Sequence, residues 1–519
     1  MLKADIALSD LAHEAVLKNG AISLGGSRIT PYAHSALEVL FVRTEGQWFL
    51  VVRECLAGIE AQSITEVSVD AERFDQLYRE CLMWPLDYVL LEVAQVGRRL
   101  KVRSGVYGVA PLYCRADFDQ ITLSWDPADL LAPSMAVDME IASHCLVLDT
   151  IYSARQVCVG VTMLTERASL YVEPGRASYQ YPKAAEDTAP LDGLSGEEAL
   201  EEFSQLLQKA VSKRPVASKR IAIQLSGGMD SAAVASALAS THGALQSGGI
   251  LLDGACRKSQ VGRREHIAGR LGLNDETIEM SSFPPSLDLC HSGYRREYQF
   301  KEFYLEAFEA LWRTMQAREC AWLFTGVGGD ELFLPRSDEL LASDGKIYVE
   351  IRHHAESLLT PRALSAARSL RRFDAPLAPV PVSSLLAQAC HAPHLLKRGL
   401  WAVNPLCDPS LVAFCHRLAP EHRQNRETLH RYLQSCFGKD VFPSGYIKET
   451  FVRVLPELIA RQANGIAGQL RECALADLGL VSRDAVLALL DTVKTTRSEV
   501  LTAPLANFLW LERFVRQLG

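Results

Sequence analysis

Ser226-Gly227-Gly228-Met229-Asp230-Ser231 decides how this chain is read. The run before it, Ile221-Ala222-Ile223-Gln224-Leu225, is short and apolar and suits a buried strand. The run after it, Ala232-Ala233-Val234-Ala235-Ser236-Ala237-Leu238, is alanine-rich and suits a helix. Strand, glycine turn, helix start is the order that aims main-chain N–H groups and a helix N-terminus at an anion. Gly227 and Gly228 permit close approach and positive φ, while Ser226 and Ser231 add hydroxyl donors. Asp230 would repel a bare phosphate, so the set implies an intervening Mg2+. No lysine follows the glycines, which separates this loop from the GxxxxGK[ST] phosphate loop. A plain strand-to-helix turn capped by Ser226 or Asp230 is the alternative. It does not require the glycines, both hydroxyls and the acid together.

A second loop follows another apolar run. Trp322-Leu323-Phe324 leads into Thr325-Gly326-Val327-Gly328-Gly329-Asp330-Glu331-Leu332-Phe333. Ligands of α/β sheets bind at the carboxyl ends of strands, so the two loops are expected to face one crevice. Gly326, Gly328 and Gly329 then join Ser226, Gly227, Gly228, Asp230 and Ser231 around a nucleotide, with Asp230 and Asp330 sharing Mg2+. Glu331 reads equally as a helix cap or a catalytic acid.

Around these loops the pattern alternates between strand and helix. Residues 221–225, 249–252 and 277–280 read as strands; 230–240 and 260–271 read as helices, the latter stopped by Gly272. That spacing implies a parallel α/β sheet. Beyond about residue 355 the pattern is almost wholly helical. Ahead of the sheet, Ser195-Gly196-Glu197-Glu198 fits a capping box that opens a helix running to about Lys213. Residues from about 35 to 180 read mainly as strands, with a hairpin turn at Glu45-Gly46. The chain therefore divides into 1–185, a linker over 186–194, and 195–519.

Composition narrows the classes. The chain has 519 residues, 48% apolar and 22% charged, enough for two or three domains. A net charge of −8 offers no global basic field for nucleic acid. No apolar run approaches the ~18 residues of a membrane span, and the first residues lack a secretory core. The thirteen cysteines are scattered without a CxxC pair, and read as small buried hydrophobes in a reducing cytoplasm. Neighbours such as Cys390-His391 diverge on a helix and are not expected to chelate. Arg263-Arg264 and Arg371-Arg372 read as solvated helix faces, and Phe303, Tyr304, Phe308 and Trp312 as core.

The first loop resembles the SGGxDS loop of the ATP pyrophosphatase (PP-loop) superfamily, whose members split ATP into AMP and pyrophosphate. A GxGGDELF-type segment about a hundred residues later makes the pair similar to the synthetase domain of class B asparagine synthetases. Arg263 to Gly272 and Asn404 to Val412 resemble further segments of that domain. Tyr107-Gly108-Val109-Ala110-Pro111-Leu112-Tyr113 resembles a turn in the family's N-terminal glutaminase domain. The implied fold is α/β with two domains. The first is a degenerate glutaminase-like α+β sandwich of the N-terminal-nucleophile (Ntn) type. The second is a PP-loop parallel α/β domain with a helical C-terminal part. Such glutaminases use a cysteine directly after the initiator methionine; here that position is Leu2, so the domain is expected to be a scaffold without amide hydrolysis.

Within the superfamily the chain resembles lasso-peptide cyclases most. These join a peptide's N-terminal amine to an Asp or Glu side chain. Val327 stands where β-lactam synthetases typically carry a tyrosine, and cannot relay a proton. The segment Cys436 to Phe442, and Thr495-Thr496-Arg497 with the helix around Phe508 to Phe514, resemble the cyclase tail. Lys448 stands about where related cyclising synthetases carry a catalytic lysine. The resemblance implies ATP and Mg2+, a precursor core peptide as substrate, and a leader peptidase and leader-binding protein as partners. A β-lactam synthetase, an ammonia-dependent asparagine synthetase, and an inactive relic that binds nucleotide or peptide are the other readings.

Overall fold

In the computed structural model the described residues are 1–60, 63–186, 189–191, 193–216, 220–243, 245–254, 256–289, 298–300, 302–334, 345–443 and 453–518. They build the α/β, two-part architecture expected from the sequence, with a mainly antiparallel sandwich followed by a parallel sheet.

The sandwich comprises two seven-stranded sheets. In one, Leu2–Ala7 lies between Gln120–Ser124 and Ser27–Pro31, antiparallel to both. In the other, Leu37–Thr44 pairs with Gln47–Glu54 across the expected hairpin, with Thr44 opposite Gln47. Gly46 takes φ 71°, as the tight turn demands. The sheets share one core, to which Ile6 and Ile29 contribute from the first and Phe41, Leu50 and Leu91 from the second. The helix Ala71–Leu82 covers the outer face of the second sheet through Phe74 and Cys81. The strands before residue 35 extend the sandwich beyond the stretch that reads as strand in the sequence.

The capping box at Ser195 forms as expected: Ser195 Oγ accepts from Glu198 N and Glu198 returns to Ser195 N. The helix it opens, Gly196–Ser212, buries Ala199, Phe203, Leu207 and Val211. Beyond it runs a five-stranded sheet in the order Asn274–Glu279, Gln246–Leu251, Ile221–Gln224, Trp322–Phe324, Trp401–Val403. Every pair is parallel. In chain order the strands stand 3-2-1-4-5, so the sheet reverses its winding between Ile221–Gln224 and Trp322–Phe324. That reversal opens a crevice at the strands' carboxyl ends.

Trp401–Val403 corrects the expectation that the chain is helical beyond residue 355. Three residues carry too little pattern to separate a strand from a helix. The remainder of the C-terminal part is helical, from Pro361–Ala367 to Glu499–Arg516. Among the described residues no helix is long and apolar enough to cross a membrane.

A buried ion pair ties the two parts together. Arg214 donates to both carboxylate oxygens of Glu54 at 2.6 and 2.8 Å, and Trp401 Nε1 donates to the same carboxylate at 2.8 Å. Asp87 lies beside it, its carboxyl pushed up to about 7 by burial and then by the charge of Glu54.

Candidate functional site

The two glycine loops follow the two strands that flank the winding reversal, and they touch. A Cβ on Gly326 would lie 2.7 Å from Ser231 N, and one on Gly329 would lie 2.3 Å from Asp230 Cγ. Only glycine at these positions lets the loops close on each other.

The first loop is held from within and from below. Ser226 Oγ and Ser231 Oγ stand 3.0 Å apart, and Gly228 N donates to Ser226 Oγ at 3.2 Å. Gly227 takes φ 90°. Gly228 is the N-cap of the helix Met229–His242 and makes no side-chain cap, so neither Ser226 nor Asp230 serves as one. Beneath the loop runs the helix Arg257–Leu271. Gln260 Nε2 donates to Ser226 O at 2.9 Å and Arg263 Nε to Gly227 O at 3.1 Å. Both loop carbonyls are claimed by that helix, which keeps them away from an anion on the open side.

Arg263 and Arg264 are therefore not a solvated face; they are 8% and 2% exposed. Arg264 donates to both oxygens of Asp275, at 2.9 and 2.8 Å, and to Glu276 O. A charge pair in sequence reads as surface, and its buried acceptors are supplied by distant loops and strands.

The second loop is pinned by its first residue and its end. Thr325 Oγ1 donates to Asn404 Oδ1 at 2.5 Å and accepts from Val327 N at 3.1 Å. Glu331 Oε1 accepts from Ser383 Oγ at 2.6 Å, and Glu331 O meets His416 Nε2 at 3.1 Å. Glu331 is thus a tether of the loop. Asn404 opens the segment that also carries Asp408, whose carboxylate accepts from Tyr107 OH at 2.7 Å and pairs with Lys213. Burial works against that charge, but the Lys213 ammonium and the hydrogen bonds from Lys213, Tyr107 OH and Ser410 N hold the carboxyl below its ordinary range.

Asp230 and Asp330 converge on one cation, the guanidinium of Arg426. Its Nη2 pairs with Asp230 Oδ1 and donates to Gly329 O at 3.0 Å; its Nη1 stands 3.3 Å from Asp330 Oδ1. Asn425 and Arg426 both adopt left-handed conformations, φ 52° and 59°. Two such non-glycine residues in a row cost roughly 1–2 kcal/mol each, and the ion pairs offset that strain. No local pattern in the sequence marks Arg426, which lies 196 residues from Asp230. A divalent cation prefers carboxylate oxygens; two carboxylates already sharing a cation fit Mg2+. Lys448 lies outside the described residues.

Four cysteines of the sandwich are poor nucleophiles. Cys55, Cys81, Cys114 and Cys158 are buried, and burial pushes their thiols up to about 11, 11, 12 and 12. Little thiolate is present at neutral pH in such sites. Leu2 is fully buried in its strand.

Residues 202–389 match the family described as asparagine synthase. No curated protein matches the chain by sequence. Among solved structures, glutamine phosphoribosylpyrophosphate amidotransferase from B. subtilis, complexed with ADP and GMP, aligns at 9% identity. The alignment covers 72% of this chain and 94% of that one with a TM-score of 0.21. The family match spans both glycine loops and the strands that present them. The segment 202–389 is thus asparagine synthetase-like, and members of that family are ATP-dependent C–N ligases.

Proposed function

We propose that the chain is an AMP-forming amide synthetase that adenylates a carboxylate of a peptide and closes an intramolecular amide on it, as a lasso-peptide cyclase does. The observation that carries the adenylation step is the convergence of Asp230 and Asp330 on one cationic site beside the first loop. ATP fits with its triphosphate against Ser226, Gly227, Gly228 and Ser231 and the N-terminus of Met229–His242. Mg2+ held by Asp230 and Asp330 would offset charge on the triphosphate.

The remaining steps concern the chain's own residues. The loop N–H groups and the two serine hydroxyls favour the charge that develops as pyrophosphate leaves. The substrate carboxylate forms the new P–O bond to the α-phosphorus while the bond to the β-phosphate oxygen breaks. The amine then attacks the acyl carbon and AMP departs with one carboxylate oxygen. Holding both ends of one peptide close supplies the entropic advantage. Val327 supports a peptide over a β-lactam precursor, since its isopropyl group relays no proton; its main chain is fixed by Thr325 and Cys407. Lys448 is proposed to stabilise charge on the reacting centre, and a precursor peptide with its leader peptidase and leader-binding protein are the proposed partners.

The test is peptide-dependent pyrophosphate release. A candidate precursor with an Asp or Glu a few residues from a free N-terminus is expected to release pyrophosphate with the wild-type chain and not with Asp230→Ala. Release driven instead by a small β-amino acid would move the assignment to β-lactam synthesis. No release with any carboxylate would leave only a binding role.

A further inference from the structure

Next to the second loop lies a cavity of about 390 Å3, built from both parts of the chain. The sandwich side contributes Ile151, Gln156 and Val157; the C-terminal side contributes Phe300, Leu386 and Trp510. Three features bear on what it takes.

The first is position. Ser383 lines the cavity and is the residue that donates to Glu331, which directly follows Asp330. The helix Val382–Leu396 then runs along the cavity past Ala387 to His391. Eight residues of helix span about 12 Å, so this wall of the cavity runs about 12 Å from the residue that holds Glu331. An extended peptide covers that distance in about four residues.

The second is chemistry. Most of the wall is apolar, and the polar groups on it accept hydrogen bonds or are already paired. Glu302 Oε2 and His391 Nε2 are hydrogen-bonded at 2.8 Å at the far end. Arg155 is bound by Asp138 and Glu140, and Asp149 by His144 and Arg352. Gln156 is 4% exposed. Its amide nitrogen donates to the main-chain oxygens of Ser153, Ala154 and Arg155, which fixes the amide's orientation. Its Oε1 is buried and meets no donor among the described residues.

The third is Leu148, also on the wall, which holds φ 62° just past the helix Met139–Leu146. Glycine is usual at such a helix end; leucine there keeps an apolar side chain at the cavity.

We propose that this cavity seats an apolar segment of about four residues of a peptide substrate, adjoining its reacting carboxylate and held by the apolar wall. The role of the N-terminal sandwich in this chain is then to build one wall of the substrate site. The proposal rests on the amide-synthetase reading of the adjoining crevice and specifies its substrate.

The test uses the full chain and a panel of C-terminally fluorescein-labelled octapeptides. Each has a free N-terminus and one Asp or Glu, and its interior is either apolar or lysine-rich. Fluorescence anisotropy is expected to show binding of the apolar set alone. Ala387→Trp and Ile151→Trp, which fill the cavity from opposite walls, are expected to weaken that binding at least tenfold. Binding of a fluorescent ATP analogue, measured on the same variants, should change less than twofold and reports an intact fold. The proposal is overturned if no panel member binds, if lysine-rich peptides bind as well as apolar ones, or if both variants bind like wild type. Pyrophosphate release unaffected by either variant also overturns it while leaving the ligase reading standing. Selective binding without pyrophosphate release sinks the ligase reading and keeps the cavity.

Discussion

Gly329→Ala is the substitution whose effect follows most directly from the geometry. A Cβ at residue 329 would stand 2.3 Å from Asp230 Cγ and 2.3 Å from Asp230 Oδ1, where ordinary contact begins at 3.4 Å. Something must move by about 1 Å. The main chain of the loop is held through Thr325 and Glu331, so the Asp230 carboxylate is the group that yields, against its pair with Arg426. A misplacement of about 1 Å in a positioning group costs on the order of a hundredfold in rate, or about 2.7 kcal/mol of barrier. Peptide-dependent pyrophosphate release at saturating ATP is the assay, with thermal unfolding measured alongside. Gly262→Ala, in the helix beneath the loop with nothing within 4 Å of its added Cβ, is the control and is expected to be neutral or slightly stabilising. Wild-type turnover in Gly329→Ala, with Asp230 still required, would refute the claim that this carboxylate must sit where the structure has it.

Other perturbations separate the remaining parts of the account. Removing the guanidinium in Arg426→Ala frees both carboxylates. A charge pair at about 4 Å is worth roughly 4 kcal/mol at an effective dielectric of 20. Because Asp330 is exposed, about 1–2 kcal/mol is a fair discount, equal to about a 5–30-fold gain in affinity for Mn2+ read by electron paramagnetic resonance without nucleotide. Unchanged or weaker Mn2+ binding would contradict a shared cation site. Glu54→Ala strands Arg214 and Trp401 Nε1 in the interface and should cost roughly 3–5 kcal/mol in urea unfolding, with Glu54→Leu/Arg214→Met recovering at least half; a loss below about 1 kcal/mol would show that the pair does not tie the domains. The raised Asp87 carboxyl binds a proton in the folded chain that the unfolded chain has already released above about pH 4. Its contribution is therefore greatest below about pH 4 and falls as pH rises toward 7, by up to about 1.4 kcal/mol per pH unit. Unfolding free energies measured from pH 4 to 8 should decline less steeply in Asp87→Asn, and equal slopes would contradict the assignment.

The site's main-chain chemistry was legible because it is local. Ser226 to Ser231 and Thr325 to Phe333 each state a strand end, a glycine turn and an acid within a few residues, and the spacing between them implies the sheet that joins them. The capping box at Ser195 and the hairpin at Glu45-Gly46 were readable for the same reason. What the sequence hid depends on tertiary proximity. Arg426 matters only because the fold carries it to Asp230 and Asp330. Arg263 and Arg264 look like surface charge until Gly227 O and Asp275 are brought against them. Trp401–Val403 is a strand because Trp322–Phe324 offers it a parallel edge, and three residues alone cannot announce that. Gln156 and His391, which both line the cavity, are 235 positions apart in the chain, and no periodicity relates them.

The central claim is that a peptide carboxylate is activated as its adenylate. The direct measurement is oxygen transfer: a peptide whose side-chain carboxylate carries oxygen-18 is turned over with ATP, and the phosphorus products are analysed by mass spectrometry. Adenylation predicts one oxygen-18 in AMP, none in pyrophosphate, and loss of one label from the closed peptide. Label appearing in inorganic phosphate, with ADP as the nucleotide product, would contradict it.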